Sequence, residues 1–153
     1  MKQNELQRLQ KIVEVLRSEQ GCPWDREQTH ESLKPACIEE AAEVLAGIDI
    51  LQATGKAENL KEELGDLLLQ VVFHARLAEE AGLFNLADVA KAASDKMERR
   101  HPHVFAGAPV ESVDWEAIKK AEKSGREWEE AYLPGAFQQA EDLIAQARRR
   151  KGI

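Results

Sequence analysis

The spacing of the apolar residues is the feature that most constrains the fold, because they recur every three or four positions along most of the chain. Leu6, Leu9, Ile12, Val13 and Leu16 show the pattern. It places apolar side chains on one face of an α-helix, whereas a strand requires alternation. Aromatic residues make up only 5% of the chain. The sequence therefore predicts an all-α protein, a bundle of four to five main helices completed by homo-oligomerisation.

The boundaries of the predicted helices follow from the apolar stripes and from the glycine and proline residues between them. We expect helices over roughly residues 3–19, 35–53, 59–81, 85–100, 114–131 and 136–150, with loops at 21–28 and 104–113. Asn59 and Glu62 have the spacing of a capping box. Because residues 54–56 form a short connection, the second and third helices are predicted to be antiparallel neighbours. We divide the chain into a catalytic helical domain, 1–110, and a C-terminal helical appendage, 111–153.

Charge and composition exclude several classes of function. The net charge of −7 and the lack of a dominant basic stripe argue against nucleic-acid binding. No run of about 18 apolar residues is present, so no membrane span is expected. Cys22 and Cys37 do not form a CxxC pair, which argues against a zinc or redox motif. Both are expected to be free thiols in the cytoplasm.

Two groups of acidic residues lie on the second and third predicted helices. They are Glu39, Glu40 and Glu43 on the second helix, and Glu62, Glu63 and Asp66 on the third. Residues three apart share a helical face, so Glu40 with Glu43 and Glu63 with Asp66 can converge between antiparallel helices. Two carboxylates about 4 Å apart repel by on the order of 4 kcal/mol at an effective dielectric of about 20. A hard divalent cation such as Mg²⁺ would remove that repulsion.

Acidic pairs at this spacing also arise by chance on solvated faces, because 32% of the residues are charged. Asp66, however, lies within the apolar segment 64–73, where we expect a buried helix and where a carboxylate is costly. Gly65 costs a helix interior about 1 kcal/mol relative to alanine. It is expected either to admit a neighbouring helix or to leave space for a ligand.

A basic cluster ends the fourth predicted helix. Lys96, Arg99 and Arg100 share a face, and guanidinium groups bind phosphate in a fork geometry. The alternative is that they complement the helix dipole. In the predicted loop, Trp24 offers either a surface for base stacking or a packing anchor.

These motifs together resemble the MazG-type nucleoside triphosphate pyrophosphohydrolases of the all-α superfamily. Glu40-Ala-Ala-Glu43, nineteen further residues and Glu63-Leu-Gly-Asp66 match the family's paired ExxE and ExxD motif. The stretches 21–29, 62–68 and 98–105 extend the resemblance, which covers about residues 6–123. Many family members carry two such helical domains, whereas this chain has room for one, and the pattern is faint after Lys123.

The resemblance implies a helical bundle that pairs with copies of itself as a homodimer or homotetramer. It implies Mg²⁺, for which Mn²⁺ can substitute, held by Glu40, Glu43, Glu63 and Asp66. It implies that Lys96–Arg100 contacts phosphate and that nucleotides are cleaved between the α- and β-phosphates, often to remove unwanted or damaged ones. Glu39 or Glu62, each one residue outside the ligand pairs, is our candidate for the general base.

Three alternatives remain open at this point. The first is a narrow-specificity pyrophosphohydrolase acting on phosphoribosyl-ATP or a deoxynucleotide. The second is a di-iron bundle, which requires ExxH motifs within two helices. Glu27–His30 and Glu98–His101 have that spacing, but one lies in a predicted loop and the other at a helix end. The third is a non-enzymatic helical interaction module, which predicts no stabilisation by divalent ions.

Overall fold

The computed structural model describes residues 4–153, in which there are α-helices and no β-strand. This confirms the predicted all-α class. The α-helices are α1 (Glu5–Leu16), α2 (Pro23–Glu27), α3 (Lys34–Thr54), α4 (Glu58–Glu80), α5 (Leu86–Arg100), α6 (Pro102–Phe105), α7 (Trp115–Lys123) and α8 (Leu133–Lys151). Short 3-10 helices lie at Val110–Ser112 and Glu127–Tyr132. In this part of the chain, no helix has both the length and the apolar character needed to cross a membrane.

The chain forms two compact units. The first comprises the chain up to Leu86 together with Ala140–Ile153, and the second comprises Ala87–Gln139. The first unit therefore contains α1 to α4 and the C-terminal part of α8. The second contains most of α5, then α6 and α7. The functional division at residue 110 remains a prediction.

The pairing of α3 with α4 organises the first unit. The two helices are antiparallel: Cys37, early in α3, contacts His74, late in α4, whereas Gly47 lies against Leu60 near the start of α4. Gly47 is buried, and a β-carbon built on it would lie 2.8 Å from Leu60 Cα. The missing side chain at Gly47 thus permits the close approach of the two helices.

A small apolar core lies to one end of α4. Its buried members are Val13, Leu33, Val72, Phe73 and Leu77. Arg17 follows α1 and its guanidinium contacts Glu80 Oε2 at 2.7 Å and the Asp25 carbonyl at 2.6 Å. The Arg17 side chain is only 9% exposed, and its two contacts link α4 to the 23–28 segment.

Several local predictions were wrong. The predicted loop 104–113 contains the end of α6 and a 3-10 helix, and the predicted helix 114–131 ends at Lys123 and is followed by a separate 3-10 helix. The segment 21–28 is not a loop throughout, because Pro23 starts the short helix α2 and proline is favoured in a first helical turn. Asn59 does not cap α4. The N-cap is Ala57, and the Asn59 amide instead donates to Glu63 Oε1 at 3.0 Å from within the helix.

The prediction that the apolar part of α4 is largely buried holds for only one half of the helix. Residues 72, 73, 75, 77 and 78 are buried, but Leu64, Leu68 and Val71 are 48%, 41% and 40% exposed. Asp66 lies in the exposed half and is itself exposed. The expectation of a buried Asp66 was therefore wrong, because the described residues that pack on this half of α4 leave the Asp66 side chain accessible to solvent.

Candidate metal centre and phosphate-binding cluster

Three of the predicted metal ligands come together between α3 and α4. One carboxylate oxygen each from Glu40, Glu43 and Glu63 lies within 4.8 Å of the other two. Glu40 and Glu43 are one turn apart on α3, and Glu63 faces them from α4 because the helices are antiparallel. This arrangement follows from the spacing in the sequence and from the close contact at Gly47, one turn beyond Glu43.

Glu40 is the least satisfied member of this acidic site, which we define as Glu40, Glu43 and Glu63. Its Oε2 atom is buried and has no hydrogen-bond partner among the described residues. Burial, followed by the neighbouring carboxylate of Glu43, raises the pKa of Glu40 to about 7. The charges of Asp66 and Glu63 raise it further. A cation at this position would relieve both the burial cost and the repulsion.

Two cations from α8 already contact this region. Lys151 Nζ lies 2.6 Å from Glu43 Oε1, and Arg150 Nη2 donates to Glu39 Oε1. The hydrogen bond and charge of Lys151 lower the pKa of Glu43, against the opposing effect of burial. Sequence reasoning missed these contacts. The only signal was the basic run 148–151, which is typical of many helix ends.

The remaining predicted acidic residues lie around this group. Asp66 is close enough to act on Glu40 electrostatically, but it is not a member of the group of three converging oxygens. Glu62 is exposed, and Glu39 is half-buried and paired with Arg150. The roles of Asp66 as a ligand and of Glu39 or Glu62 as a base therefore remain predictions.

A second polar cluster lies one turn before Glu40. Cys37 Sγ is 3.2 Å from His74 Nε2, and His74 Nδ1 is 2.7 Å from His30 Nδ1. One of the two facing Nδ1 atoms must donate and the other accept, so the two rings share one proton at this contact. Burial, followed by the charge of His30, lowers the pKa of His74. Sequence reasoning had not connected these residues.

The predicted phosphate-binding residues lie together in the second unit. Lys96, Arg99 and Arg100 line a cavity of about 630 Å³, to which Lys123 and Arg126 also contribute. Both guanidinium groups form ion pairs with Glu122 of α7: Arg100 Nη2 donates to its carboxylate at 2.8 Å, and Arg99 Nε donates at 3.0 Å. Arg100 and then Arg99 hold the pKa of Glu122 at about 2. A phosphate would have to share or replace that carboxylate.

The aromatic candidate is exposed. Trp24 lies on α2 and is 64% exposed, so it does not serve as a packing anchor within the described residues. Its face remains available for stacking. His101 and His103 are half-buried, and the ring of His103 contacts Trp115, whose Nε1 donates to the Arg100 carbonyl at 2.8 Å.

The donor set of the acidic site fits a hard divalent cation. It consists of carboxylate oxygens, the ligands that Mg²⁺ and Mn²⁺ prefer, and it includes a buried oxygen without a partner. No histidine joins this group, although the di-iron alternative requires histidine ligands.

Comparison with known proteins identifies the family. The model of the MazG nucleotide pyrophosphohydrolase domain matches residues 28–105, which include the whole acidic site and the end of α5. The chain is 53% identical over 113 residues to the nucleoside triphosphate pyrophosphohydrolase/pyrophosphatase MazG of Thermotoga maritima, a match that covers 73% of this chain and 43% of that protein. It is 46% identical over 127 residues to the nucleoside triphosphate pyrophosphohydrolase of Escherichia coli K12, covering 79% of this chain and 47% of the relative.

A third relative, which is less similar in sequence, is also named a nucleoside triphosphate pyrophosphohydrolase. The chain is 44% identical over 108 residues to the nucleoside triphosphate pyrophosphohydrolase of Mycobacterium tuberculosis, covering 67% of this chain and 32% of that protein. The matched region thus spans less than half the length of each of these three relatives. The domain match and the level of identity nevertheless fix the family. The chain belongs to the MazG nucleotide pyrophosphohydrolase family.

Proposed function

We propose that this chain hydrolyses nucleoside triphosphates, ribo- or deoxyribonucleotides, to the monophosphate and pyrophosphate, and that it needs Mg²⁺ or Mn²⁺ to do so. The observation that carries the proposal is the convergence of Glu40, Glu43 and Glu63 within 4.8 Å of one another in a member of this family. The unpartnered Glu40 Oε2 supports it. A divalent cation held by these carboxylates would supply Lewis-acid stabilisation of charge on phosphate oxygens.

The proposed reaction is attack of water on the α-phosphorus with loss of pyrophosphate. The oxygen of a water molecule bonds to the α-phosphorus, the bond from that phosphorus to the α–β bridging oxygen breaks, and pyrophosphate leaves with the electron pair. The proton of the attacking water passes to a carboxylate, for which Glu39 and Glu62 are the candidates. Arg150 contacts Oε1 of Glu39. We assign Lys96, Arg99 and Arg100 to the charge of the phosphate groups, and Trp24 to the base.

We also propose that the active form is a homo-oligomer, a dimer or tetramer. Several large apolar side chains on α3 and α4 are exposed in the single chain: Leu45, Ile48, Ile50, Leu64, Leu68 and Val71. Large apolar side chains exposed in this number on two paired helices favour an interaction site. Sedimentation of the purified chain tests the proposal, and Leu68→Glu should shift an oligomer towards the monomer. A wild-type chain that sediments as a monomer at micromolar concentration would contradict it.

The direct test of the function is incubation with each common NTP and dNTP, with and without Mg²⁺, followed by chromatography of the products. Monophosphate and pyrophosphate formed only with Mg²⁺ would support the proposal. Turnover of many nucleotides would support a role in clearing unwanted nucleotides from the pool. We place that role in the cytoplasm, where the free thiols of Cys22 and Cys37 would persist. Turnover of phosphoribosyl-ATP or one deoxynucleotide alone would indicate the narrow-specificity alternative.

A Glu43→Gln variant provides the matched control. It keeps the shape of the side chain but removes one charged oxygen from the acidic site, and it should lose activity while remaining helical. If the wild-type chain gave no divalent-dependent turnover or stabilisation with any nucleotide, the proposed function would fail and the interaction-module alternative would be favoured.

A further inference from the structure

The end of α8 brings two cations onto the acidic residues of α3, more than 100 positions away in sequence. Lys151 Nζ contacts Glu43 Oε1 at 2.6 Å, and Arg150 contacts Glu39. Both contacts lie within the first unit. Glu43 is one of the three carboxylates of the acidic site, so the Lys151 ammonium group contacts one of the two oxygens of a carboxylate that a divalent cation would use.

The sequence of α8 explains why these two cations reach the site. Ala147 is the buried residue of this helix, at 8% exposure. Arg150 and Lys151 lie three and four residues after Ala147, on the same helical face. Arg149 lies about 200° around the helix from Ala147, since each residue turns the helix by about 100°. The face of α8 that carries Ala147 therefore places Arg150 and Lys151, and not Arg149, next to the acidic residues.

We propose that Arg150 and Lys151 act as positioning residues of the metal site: through their contacts with Glu39 and Glu43 their charges oppose binding of the divalent cation, and they thereby set the metal concentration at which the site fills. The proposal rests on the proposed function, because it assumes that the acidic site binds a divalent ion. The ammonium and guanidinium groups offset the carboxylate repulsion in the metal-free protein. A metal ion bound to Glu43 would lie close to the Lys151 ammonium group, and the repulsion between the two cations opposes metal binding.

The size of the effect follows from the exposure of the pairs. The side chains of Lys151 and Glu43 are 41% and 39% exposed, so the contact is screened by solvent. Exposed ion pairs of this kind change an equilibrium by up to about fivefold each. We therefore expect Lys151→Gln to lower the apparent Kd for Mg²⁺ by about twofold to fivefold, and Arg150→Gln with Lys151→Gln by about fivefold to tenfold.

The experiment is a titration of the full chain with Mg²⁺ or Mn²⁺ alone, at fixed ionic strength and without nucleotide, followed by the shift in melting temperature. The variants are Lys151→Gln and the double variant. Arg149→Gln is the matched control, because it removes the same charge from the neighbouring position. Lys151→Arg, which keeps the charge, should restore a Kd close to the wild-type value. Far-UV circular dichroism confirms that each variant is helical.

A second readout uses the reciprocity of the coupling. If metal and α8 compete, metal must weaken the docking of α8 by the same factor as α8 weakens metal binding. Amide hydrogen exchange over residues 143–151 should therefore become faster when Mg²⁺ is added to the wild-type chain. Glu43→Gln removes the Lys151 contact and should speed exchange there without metal. This readout does not depend on activity and does not require a double variant to fold.

The outcomes separate this inference from the proposed function. A lower metal Kd in the double variant, with Arg149→Gln unchanged, supports it. Metal binding that is equally tight in all variants overturns it and leaves the proposed function intact. An unchanged metal Kd with a raised KM for the nucleotide would also overturn it, because the two cations would then contact substrate phosphates. No metal binding in any variant would overturn both.

Discussion

Substitution of alanine at two glycines, Gly47 and Gly65, separates the close packing of α3 and α4 from simple helix propensity. Both glycines lie in helix interiors, where alanine is favoured by about 1 kcal/mol. At Gly47 the new β-carbon would lie 2.8 Å from Leu60 Cα and 3.2 Å from Asn59 Oδ1. At Gly65 it would have no neighbour within 4 Å among the described residues.

The magnitudes follow from this difference. Insertion of a methyl group against backbone costs about 1–3 kcal/mol, since the helices must separate. Because the propensity gain is common to both variants, Gly47→Ala should be less stable than Gly65→Ala by about 1–3 kcal/mol. Gly65→Ala should itself be more stable than the wild-type chain by up to about 1 kcal/mol. For a chain of this size the two melting temperatures should differ by about 2–12 °C.

The measurement is urea denaturation followed by far-UV circular dichroism, with the free energy of unfolding of each variant compared with that of the wild-type chain. Gly47→Ala should also weaken Mg²⁺ binding, because Gly47 is one turn from Glu43 and the opposing Asn59 is one turn from Glu63, to which it donates. Equal stability of the two variants would refute the close-approach argument. A destabilised Gly65→Ala would show instead that a second copy of the chain packs at that position.

Three further predictions concern single groups. The apparent affinity for Mg²⁺ should fall about tenfold per unit as the pH drops below 7, because the pKa of Glu40 is about 7 and the protonated carboxyl cannot bind the ion; calorimetric titration at several pH values measures this. Glu122 has a pKa of about 2, below its ordinary value of 4.5, so its pairing with Arg100 and Arg99 stabilises the protein above pH 4.5 and is lost as the pH falls towards 2. Glu122→Gln should remove that part of the acid dependence of urea denaturation, and an unchanged acid profile would contradict the assignment. If Asp66 is a direct metal ligand, Asp66→Asn should reduce kcat by more than about 100-fold, because loss of a residue that only orients a ligand costs up to about 100-fold. A smaller loss of kcat in steady-state assays would show that Asp66 does not bind the metal directly.

The local elements of the fold could be predicted because they depend on short-range spacing. The three-to-four-residue repeat predicted α3, α4 and α5 to within one or two residues, and the short connection expected at 54–56 implied that α3 and α4 are antiparallel. The convergence of Glu40, Glu43 and Glu63 then followed from helix geometry alone. Each of these inferences uses residues that are neighbours along one helix or across one short turn.

The features that could not be predicted from the sequence depend on long-range contacts. The pairing of Lys151 with Glu43 spans 108 positions, and a basic helix end gives no indication of its partner. The pairing of Glu122 with Arg100 has the same character. Asp66 was expected to be buried because its neighbours are apolar, yet the structure leaves that half of α4 exposed. Apolar periodicity identifies the face of a helix that is expected to be buried, but it does not show whether another part of the same chain covers that face.

The position of bond cleavage is the most direct test of the proposed function. We would incubate the chain with a nucleoside triphosphate and Mg²⁺ in water enriched in oxygen-18, and locate the label in the products by mass spectrometry. The account predicts monophosphate carrying one labelled oxygen and unlabelled pyrophosphate, formed only with the divalent ion and lost in Glu43→Gln. Label in the pyrophosphate, or diphosphate and phosphate as products, would contradict attack at the α-phosphorus and with it the proposed function.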